Sequence, residues 1–283
     1  MNFLRGWEEK RRLRSLSAFL NMPLKETTFE EVWIDQLDGP RVYAHLHRPK
    51  EAGNYPGVIM IPGGGSAGTD YDRGAFIRAS ELAALGFLTL HYDPSGRGLT
   101  GGEEGHWGVA HQRELSRMID HLSTHPELSR AGISLFSISI GITIATGCLS
   151  RFPNPLVKCL FDWEGPSNRT ITTKNDSHPP LQDYPCKNNE FWGEREAVRY
   201  IGDLSCGYFR YQAELDHVQG ESKEHAVELI NGALDGKALW TRCNDNPEGI
   251  RLDSSRLSDY RWVSRKDNHN GMILKYFLEA QAR

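Results

Sequence analysis

One stretch of this chain carries the signature of an activated nucleophile: Ile133-Ser-Leu-Phe-Ser-Ile-Ser-Ile-Gly-Ile142. An apolar run ends in Ser137-Ile138-Ser139-Ile140-Gly141, and a second apolar run follows. The segment is a near match to G-x-S-x-G, in which a strained strand-to-helix turn lifts the central hydroxyl clear of the backbone. The positions two before and two after that serine must be small, because strand and helix nearly touch there. Gly141 meets the second requirement, and Ser137 stands where the first glycine is expected. Centring the motif on Ser137 would put the bulky Leu135 at a small position, so Ser139 is the candidate nucleophile. Metal chemistry has weaker support. His45-x-His47 alternates along a strand, so both imidazoles share a face, while His106 and His111 suit no single helical face. Neither set has a nearby Cys or a Glu-x-x-His signature, so no metal and no cofactor is expected.

Such a serine needs a scaffold of strands and helices, and the chain alternates between the two patterns. Phe29–Ile34 and Val42–Leu46 flank Asp38-Gly39-Pro40 and read as an antiparallel hairpin. Further strands are expected at Val58–Ile61, Phe87–His91, Ile133–Ile138, Leu156–Trp163, Tyr208–Glu214 and, last, Tyr260–Val263. Helices are expected at 71–85, 107–123, Gly141–Leu149, Ser222–Leu234 and Gly271–Ala280. This order predicts an α/β fold: about eight strands, mostly parallel, helices on both faces, entered through an antiparallel hairpin. Residues 165–193 break the alternation and read as a lid or binding segment. Near the N-terminus, Phe3, Leu4, Trp7, Leu13, Leu16, Phe19 and Leu20 fall roughly at helical spacing. Glu8 and Glu9 interrupt the basic residues there, so the reading is an amphipathic helix packed on the body.

Bulk properties narrow the function classes. The 283 residues carry a formal net charge of −4, so no global field draws the chain onto nucleic acid or acidic lipid. Five scattered cysteines (148, 159, 186, 206 and 243) read as reduced thiols of a cytoplasmic protein. Ala131–Ser150 is uncharged and long enough to span a bilayer, but its serines, threonines and glycines favour a buried strand, turn and helix. No membrane insertion is expected.

With these elements in place, the chain resembles the α/β-hydrolase family over roughly residues 25–283. That family carries an oxyanion loop after its third strand, a serine after its fifth, an acid after its seventh and a histidine after its last. The resemblance implies that Ile61-Pro-Gly-Gly-Gly-Ser66 is the oxyanion loop, with N–H donors from Gly64 (Gly65 as the near alternative) and from Ile140. A phosphate loop is the other use of three glycines, but neither G-x-G-x-x-G nor a Walker lysine is present. Tyr92-Asp93-Pro-Ser-Gly-Arg-Gly98 resembles the family's D-x-x-G-x-G turn, where Asp93 and Arg97 would tie the loop down. The resemblance implies Asp216, in Gln212-Ala-Glu-Leu-Asp-His-Val218, as the acid, ahead of Asp203, Asp235 and Glu214. It implies His269, between the last expected strand and helix, as the base; His217 and His225 are assigned surface roles. The order Ser139, Asp216, His269 is the family's order.

The implied architecture is one hydrolase domain over 1–283, with a helical extension at 1–24 and a lid insertion at 165–205. The hairpin, the glycine loop and the small insertion are most similar to the dienelactone-hydrolase and acyl-peptidase-like branch. The implied activity is serine carboxylesterase action on small to medium acyl esters, through an acyl-enzyme. Amidase or peptidase, lactone hydrolase and acyltransferase share the same triad, and a non-catalytic receptor or scaffold is the reading from another class. Trp163, Tyr184, Phe191 and Trp192 are candidates for the substrate pocket or for packing the lid. The expected partner is a small-molecule ester; a homo-oligomer is compatible with the sequence.

Overall fold

Among the described residues, eight strands form one sheet in the order β1-β2-β4-β3-β5-β6-β7-β8. A computed structural model of the chain describes residues 2–74, 76–174, 176–177 and 184–283, with side chains described from Glu8 onward. The strands are β1 (Thr27–Ile34), β2 (Val42–Pro49), β3 (Tyr55–Ile61), β4 (Leu88–Tyr92), β5 (Leu128–Ile138), β6 (Val157–Trp163), β7 (Gly207–Tyr211) and β8 (Thr241–Cys243). β1 pairs antiparallel with β2, and β2 antiparallel with β4; the remaining pairs are parallel. β3 and β4 are buried almost throughout, as expected of parallel strands covered on both faces. β1, at the edge, is largely exposed.

Helices cover the two faces. The described side chains of α1 (Asn2–Leu20), with α2 (Ala79–Ala84) and α8 (His269–Gln281), pack over Val58, Met60, Phe136, Phe161 and Phe209. α3 (Val109–Ser123), α4 (Gly141–Arg151) and α7 (Glu224–Asp235) pack over Ile59, Leu90, Leu135, Leu160 and Tyr208. α3 buries Leu115, Met118, Ile119 and Leu122 at helical spacing. α4 is buried along most of its length, which accounts for the uncharged run from Ala131 to Ser150. Among the described residues, no helix is long and apolar enough to cross a membrane.

At the N-terminus, Leu16 is buried, and Arg12 donates to Glu81 (3.0 Å) and to the Phe76 carbonyl (2.8 Å). That is the packing on the body expected of this helix. Phe3, Leu4 and Trp7 lie outside the described side chains.

Two elements differ from expectation. The helix expected over 71–85 is a 3-10 turn at Gly68–Asp72 followed by the short α2. Asp93 holds that turn: its carboxylate accepts from the Thr69 amide (2.9 Å) and the Leu99 amide (2.9 Å), the tying role assigned to it. The last strand is Thr241–Cys243, not Tyr260–Val263; the latter contributes only a single bridge, Val263 to Ala213. β8 is only three residues long, too short to announce itself by periodicity.

Residues 165–205 hold the helical turns α5 (Arg169–Thr173) and α6 (Asn189–Trp192) and two 3-10 turns. Residues 175 and 178–183 of the expected lid lie outside the described residues.

Candidate active site

Ser139 follows β5 directly and sits in the left-handed region at φ 53°, where a non-glycine residue is strained. Its amide donates to the Trp163 carbonyl (2.9 Å), and α4 begins two residues later. The crowding at this elbow is measurable. A Cβ on Gly141 would lie 2.8 Å from the Ile61 carbonyl oxygen, and one on Gly63 would lie 2.5 Å from that of Ile138. Ser137 is fully buried, its hydroxyl 3.5 Å from Asp162 Oδ1, so a serine fits where the motif usually has glycine.

The hydroxyl of Ser139 meets an imidazole, and it is not that of His269. Ser139 Oγ lies 2.9 Å from His217 Nε2. His217 Nδ1 lies 2.9 Å from Glu164 Oε2, so the ring donates to the carboxylate and accepts from the serine. Glu164 is buried and also sits in the left-handed region, at φ 50°. Its Oε1 accepts from the Ala213 amide (2.8 Å) and its Oε2 from the His217 amide (3.3 Å), which fixes the carboxylate against the base of the histidine loop. Trp163 stacks on the His217 ring, centroids 4.2 Å apart at 23°.

His269 instead opens α8, its Nδ1 2.7 Å from the Tyr211 hydroxyl. It still falls between β8 and the body of the last helix, but its ring pairs with Tyr211 and His217 occupies the place beside Ser139. Asp216 comes close without being the partner: Oδ1 is 3.6 Å from His217 Nδ1. Its oxygens are taken by the amides of Val218 (2.7 Å) and Gln219 (2.8 Å) and by Gln212 Nε2 (3.1 Å). Burial pushes the Asp216 carboxyl up, but His225, those two amides and His217 outweigh it and hold the group below the usual carboxylate range. Asp216 thus shapes the loop that presents His217. The surface role assigned to His225 does not hold, for it is fully buried; His217 is exposed, as expected, but its ring also faces Ser139. A carboxylate ending the strand beside the nucleophile's own strand was the available signal for Glu164. For His217 it was a histidine at the acid's expected place.

A buried network holds both loops in register. Arg210 Nη1 donates to Asp162 Oδ2 (2.5 Å) and to the Gly165 carbonyl (2.9 Å), next to Glu164. Its Nη2 donates to Gln212 Oε1 (2.7 Å), and Gln212 holds Asp216. One guanidinium therefore ties the end of β6 to the end of β7. The Arg210–Asp162 pair is fully buried, and His225 Nδ1 lies 3.1 Å from Arg210 Nη2. Burial and the Arg210 charge push His225 down to about 3.

Ser139, His217 and Glu164 line a cavity of about 430 Å³ together with Gly64, Gly65 and Ile140. The glycine loop is anchored peptide by peptide. The Ser66 amide donates to the Gly63 carbonyl (3.1 Å), and Trp107 Nε1 donates to the Gly64 carbonyl (2.9 Å). Because each trans peptide is planar, holding those carbonyls also sets the directions of the Gly64 and Gly65 N–H groups. The Gly63 N–H is taken by the Tyr71 hydroxyl (3.1 Å). Ile140 stands at the N-terminus of α4, where backbone N–H groups lack partners within the helix. Arg97 and Glu104 pair in the wall at 2.7 Å.

None of the four aromatic candidates lines this cavity. Trp163 backs His217, and Trp192 is fully buried core with its Nε1 donating to the Tyr184 (3.3 Å) and Pro185 (3.2 Å) carbonyls. Tyr184 and Phe191 stack at 4.0 Å, and Tyr184 contacts His106, which does face the cavity. The walls are instead Trp107, Pro166, Val218 and Ile140.

Comparison with solved structures decides the fold. A protein assigned as a dienelactone hydrolase from Klebsiella pneumoniae superposes with a TM-score of 0.62 at 14% identity, covering 92% of this chain and 100% of that one. The chain has the α/β-hydrolase fold. The Pyrococcus furiosus esterase Pf2001 is similar to this hydrolase-fold chain at TM-score 0.64 and 16% identity, over 91% of this chain and 92% of the esterase. So is a Pyrococcus horikoshii acylaminoacyl peptidase, at TM-score 0.62 and 12% identity, over 94% of this chain but 42% of the peptidase. In sequence, mouse acyl-coenzyme A thioesterase 1 is 26% identical over 147 residues. That stretch is 50% of this chain and 32% of the thioesterase, so the match spans about a third of the curated relative. No family model matches the chain.

Proposed function

We propose that this hydrolase-fold protein is a serine hydrolase that cleaves small to medium carboxylic esters through an acyl-enzyme, with Ser139, His217 and Glu164 as its catalytic residues. The observation that carries the reading is the unbroken chain of contacts Ser139–His217–Glu164, 2.9 Å at each step, at the wall of a cavity shared with Gly64, Gly65 and Ile140. His217 takes the serine proton as Ser139 attacks the carbonyl carbon. Glu164 holds the ring in the tautomer that leaves Nε2 free to accept, and stabilises the imidazolium that forms. The N–H groups of Ile140 and of Gly64 or Gly65 receive the developing oxyanion; each such donor is typically worth about 3 kcal/mol. His217 then protonates the leaving alcohol, and water, deprotonated by the same ring, releases the acid. The apolar walls and the size of the cavity, about 430 Å³, suit a modest acyl group.

A thioester is the second reading, favoured by the likeness to acyl-coenzyme A thioesterases 1 and 2 of mouse. The same carbonyl chemistry serves both. Matched oxygen-ester, thioester and amide substrates assayed side by side, together with fluorophosphonate labelling, test the proposal. Labelling at Ser139 and fastest turnover of a short p-nitrophenyl ester are expected. Absence of labelling and of turnover across the panel would overturn it in favour of a non-catalytic scaffold.

A further inference from the structure

A second cluster lies away from the serine, on the sheet face covered by α1, α2 and α8. His45 and His47 alternate along β2, and β2 pairs with β4 so that His45 stands opposite His91. The 3-10 turn at Gly68–Asp72 delivers Asp72 to the three rings. The ligand-type atoms of His45, His47, His91 and Asp72 all lie within 4.8 Å of one another. Asp72 Oδ2 is 2.6 Å from His45 Nδ1, and Oδ1 is 3.0 Å from His47 Nε2 and 3.0 Å from His91 Nε2.

These atoms are close but mostly not bonded to one another. His47 Nε2, Asp72 Oδ1 and both ring nitrogens of His91 are buried, and none makes a well-aligned hydrogen bond among the described residues, although Asp72 Oδ1 lies within 3.0 Å of two of them. His91 is fully buried and His47 nearly so. Buried polar atoms in native proteins are almost always paired, and leaving several unpaired in one place is costly. Here three imidazoles and one carboxylate bring their ligand-type atoms within 4.8 Å of one another. Donor atoms bonded to a tetrahedral zinc ion at about 2.0–2.1 Å lie about 3.3 Å apart, a separation that fits inside the 4.8 Å cluster after small shifts of the side chains.

We propose that His45, His47, His91 and Asp72 bind one Zn²⁺ ion as a structural site. Three imidazoles and a carboxylate suit a borderline-soft ion, and four protein donors leave no open position for chemistry. The surroundings have the form of an outer shell. His45 Nε2 is 2.9 Å from the Tyr43 hydroxyl, which leaves Nδ1 as the ligand atom. Phe29 stacks on His47 (centroids 5.1 Å apart, 19°) and shields the site on its outer side. None of the four residues lines the cavity of Ser139, so the ion takes no part in the acyl chemistry. Its effect is on the loop: Asp72 follows Tyr71, whose hydroxyl accepts the Gly63 amide. Metal binding would thereby pin the segment that carries the oxyanion glycines. This inference does not depend on the serine chemistry.

The test uses untagged full-length protein. Elemental analysis is expected to find about one zinc per chain, falling to below about a tenth in an H47Q/D72N double variant. Because that variant could unfold, the wild-type protein is also stripped with a chelator and titrated with Zn²⁺ alone. One equivalent should bind, with a rise in Tm of at least about 5 °C that Mg²⁺ does not reproduce. Co²⁺ in place of zinc should give the visible absorption of a tetrahedral N/O site. The proposal is overturned if stripped, folded wild-type protein takes up no zinc and its Tm does not move. It is equally overturned if the folded double variant binds zinc as the wild type does.

Discussion

Two clusters of histidine and carboxylate lie on this sheet, and they differ in how their ring nitrogens are used. At the C-terminal ends of β5, β6 and β7, His217 spends one nitrogen on the Ser139 hydroxyl and the other on Glu164, in a line. Glu164, Asp216 and His217 also bring ligand-type atoms within 4.8 Å of one another. Yet backbone amides and Gln212 occupy both carboxylates there. On β2 and β4, the rings of His45, His47 and His91 converge on one carboxylate and leave buried nitrogens unpaired. The linear arrangement is the one proposed to move a proton, and the convergent one is the one proposed to hold a cation. Residue types alone do not separate the two, whereas the pairing of each atom does.

The sharpest way to break this comparison is to disable one cluster and read the other. Ser139→Ala or His217→Asn should lower kcat by at least about 10⁴-fold, from steady-state ester hydrolysis, while zinc content stays near one per chain. Glu164→Gln should cost about 10³- to 10⁴-fold in kcat, whereas Asp216→Asn and His269→Ala should each stay within about tenfold. A larger loss in Asp216→Asn than in Glu164→Gln would reassign the acid.

Next in size is the support beneath the relay. Arg210→Met leaves Asp162 as an unpaired buried charge and should destabilise the fold by about 3–5 kcal/mol in urea denaturation. An unchanged midpoint would show that the pair does not hold β6 to β7.

A smaller effect concerns pH. Burial and the Arg210 charge push His225 down to about 3, and burial and the Arg97 charge push His111 down to about 4. Both are neutral when folded and titrate near 6.5 when unfolded, so the unfolded state binds more protons below that pH. Stability is therefore full above about pH 6.5 and declines toward pH 3–4, by roughly 1–2 kcal/mol per histidine at pH 5. Denaturant midpoints measured from pH 7 to pH 4 check this, and a His225→Gln variant should flatten the slope.

How much could be read in advance follows from how local each feature is. The elbow was legible because strand, strained serine and close-packed Gly141 are contiguous in the chain. The glycine loop was legible because three glycines in a row after an apolar strand have few uses. The acid and base were not. Their assignment followed the family pattern of an acid after β7 and a histidine after the last strand, whereas Glu164 follows β6 and His217 follows β7. The relay therefore draws its acid and histidine from one strand earlier than the family pattern implies, though serine, acid and histidine keep their order. The aromatic candidates failed for a related reason: Trp192 is apolar enough for a pocket or a core, and only packing put it in the core.

The amino-acid sequence by itself determined the α/β alternation, the antiparallel entry, the strained serine at the strand-to-helix turn and the glycine loop facing it. Each rests on periodicity or on steric demands within a few residues. Tertiary structure alone decided which histidine reaches Ser139 and which carboxylate reaches that histidine. It alone decided that His91 and Asp72 join the His45-His47 pair. Those contacts depend on strand order and register across the sheet, set by the cooperative burial of both faces and not by spacing along the chain.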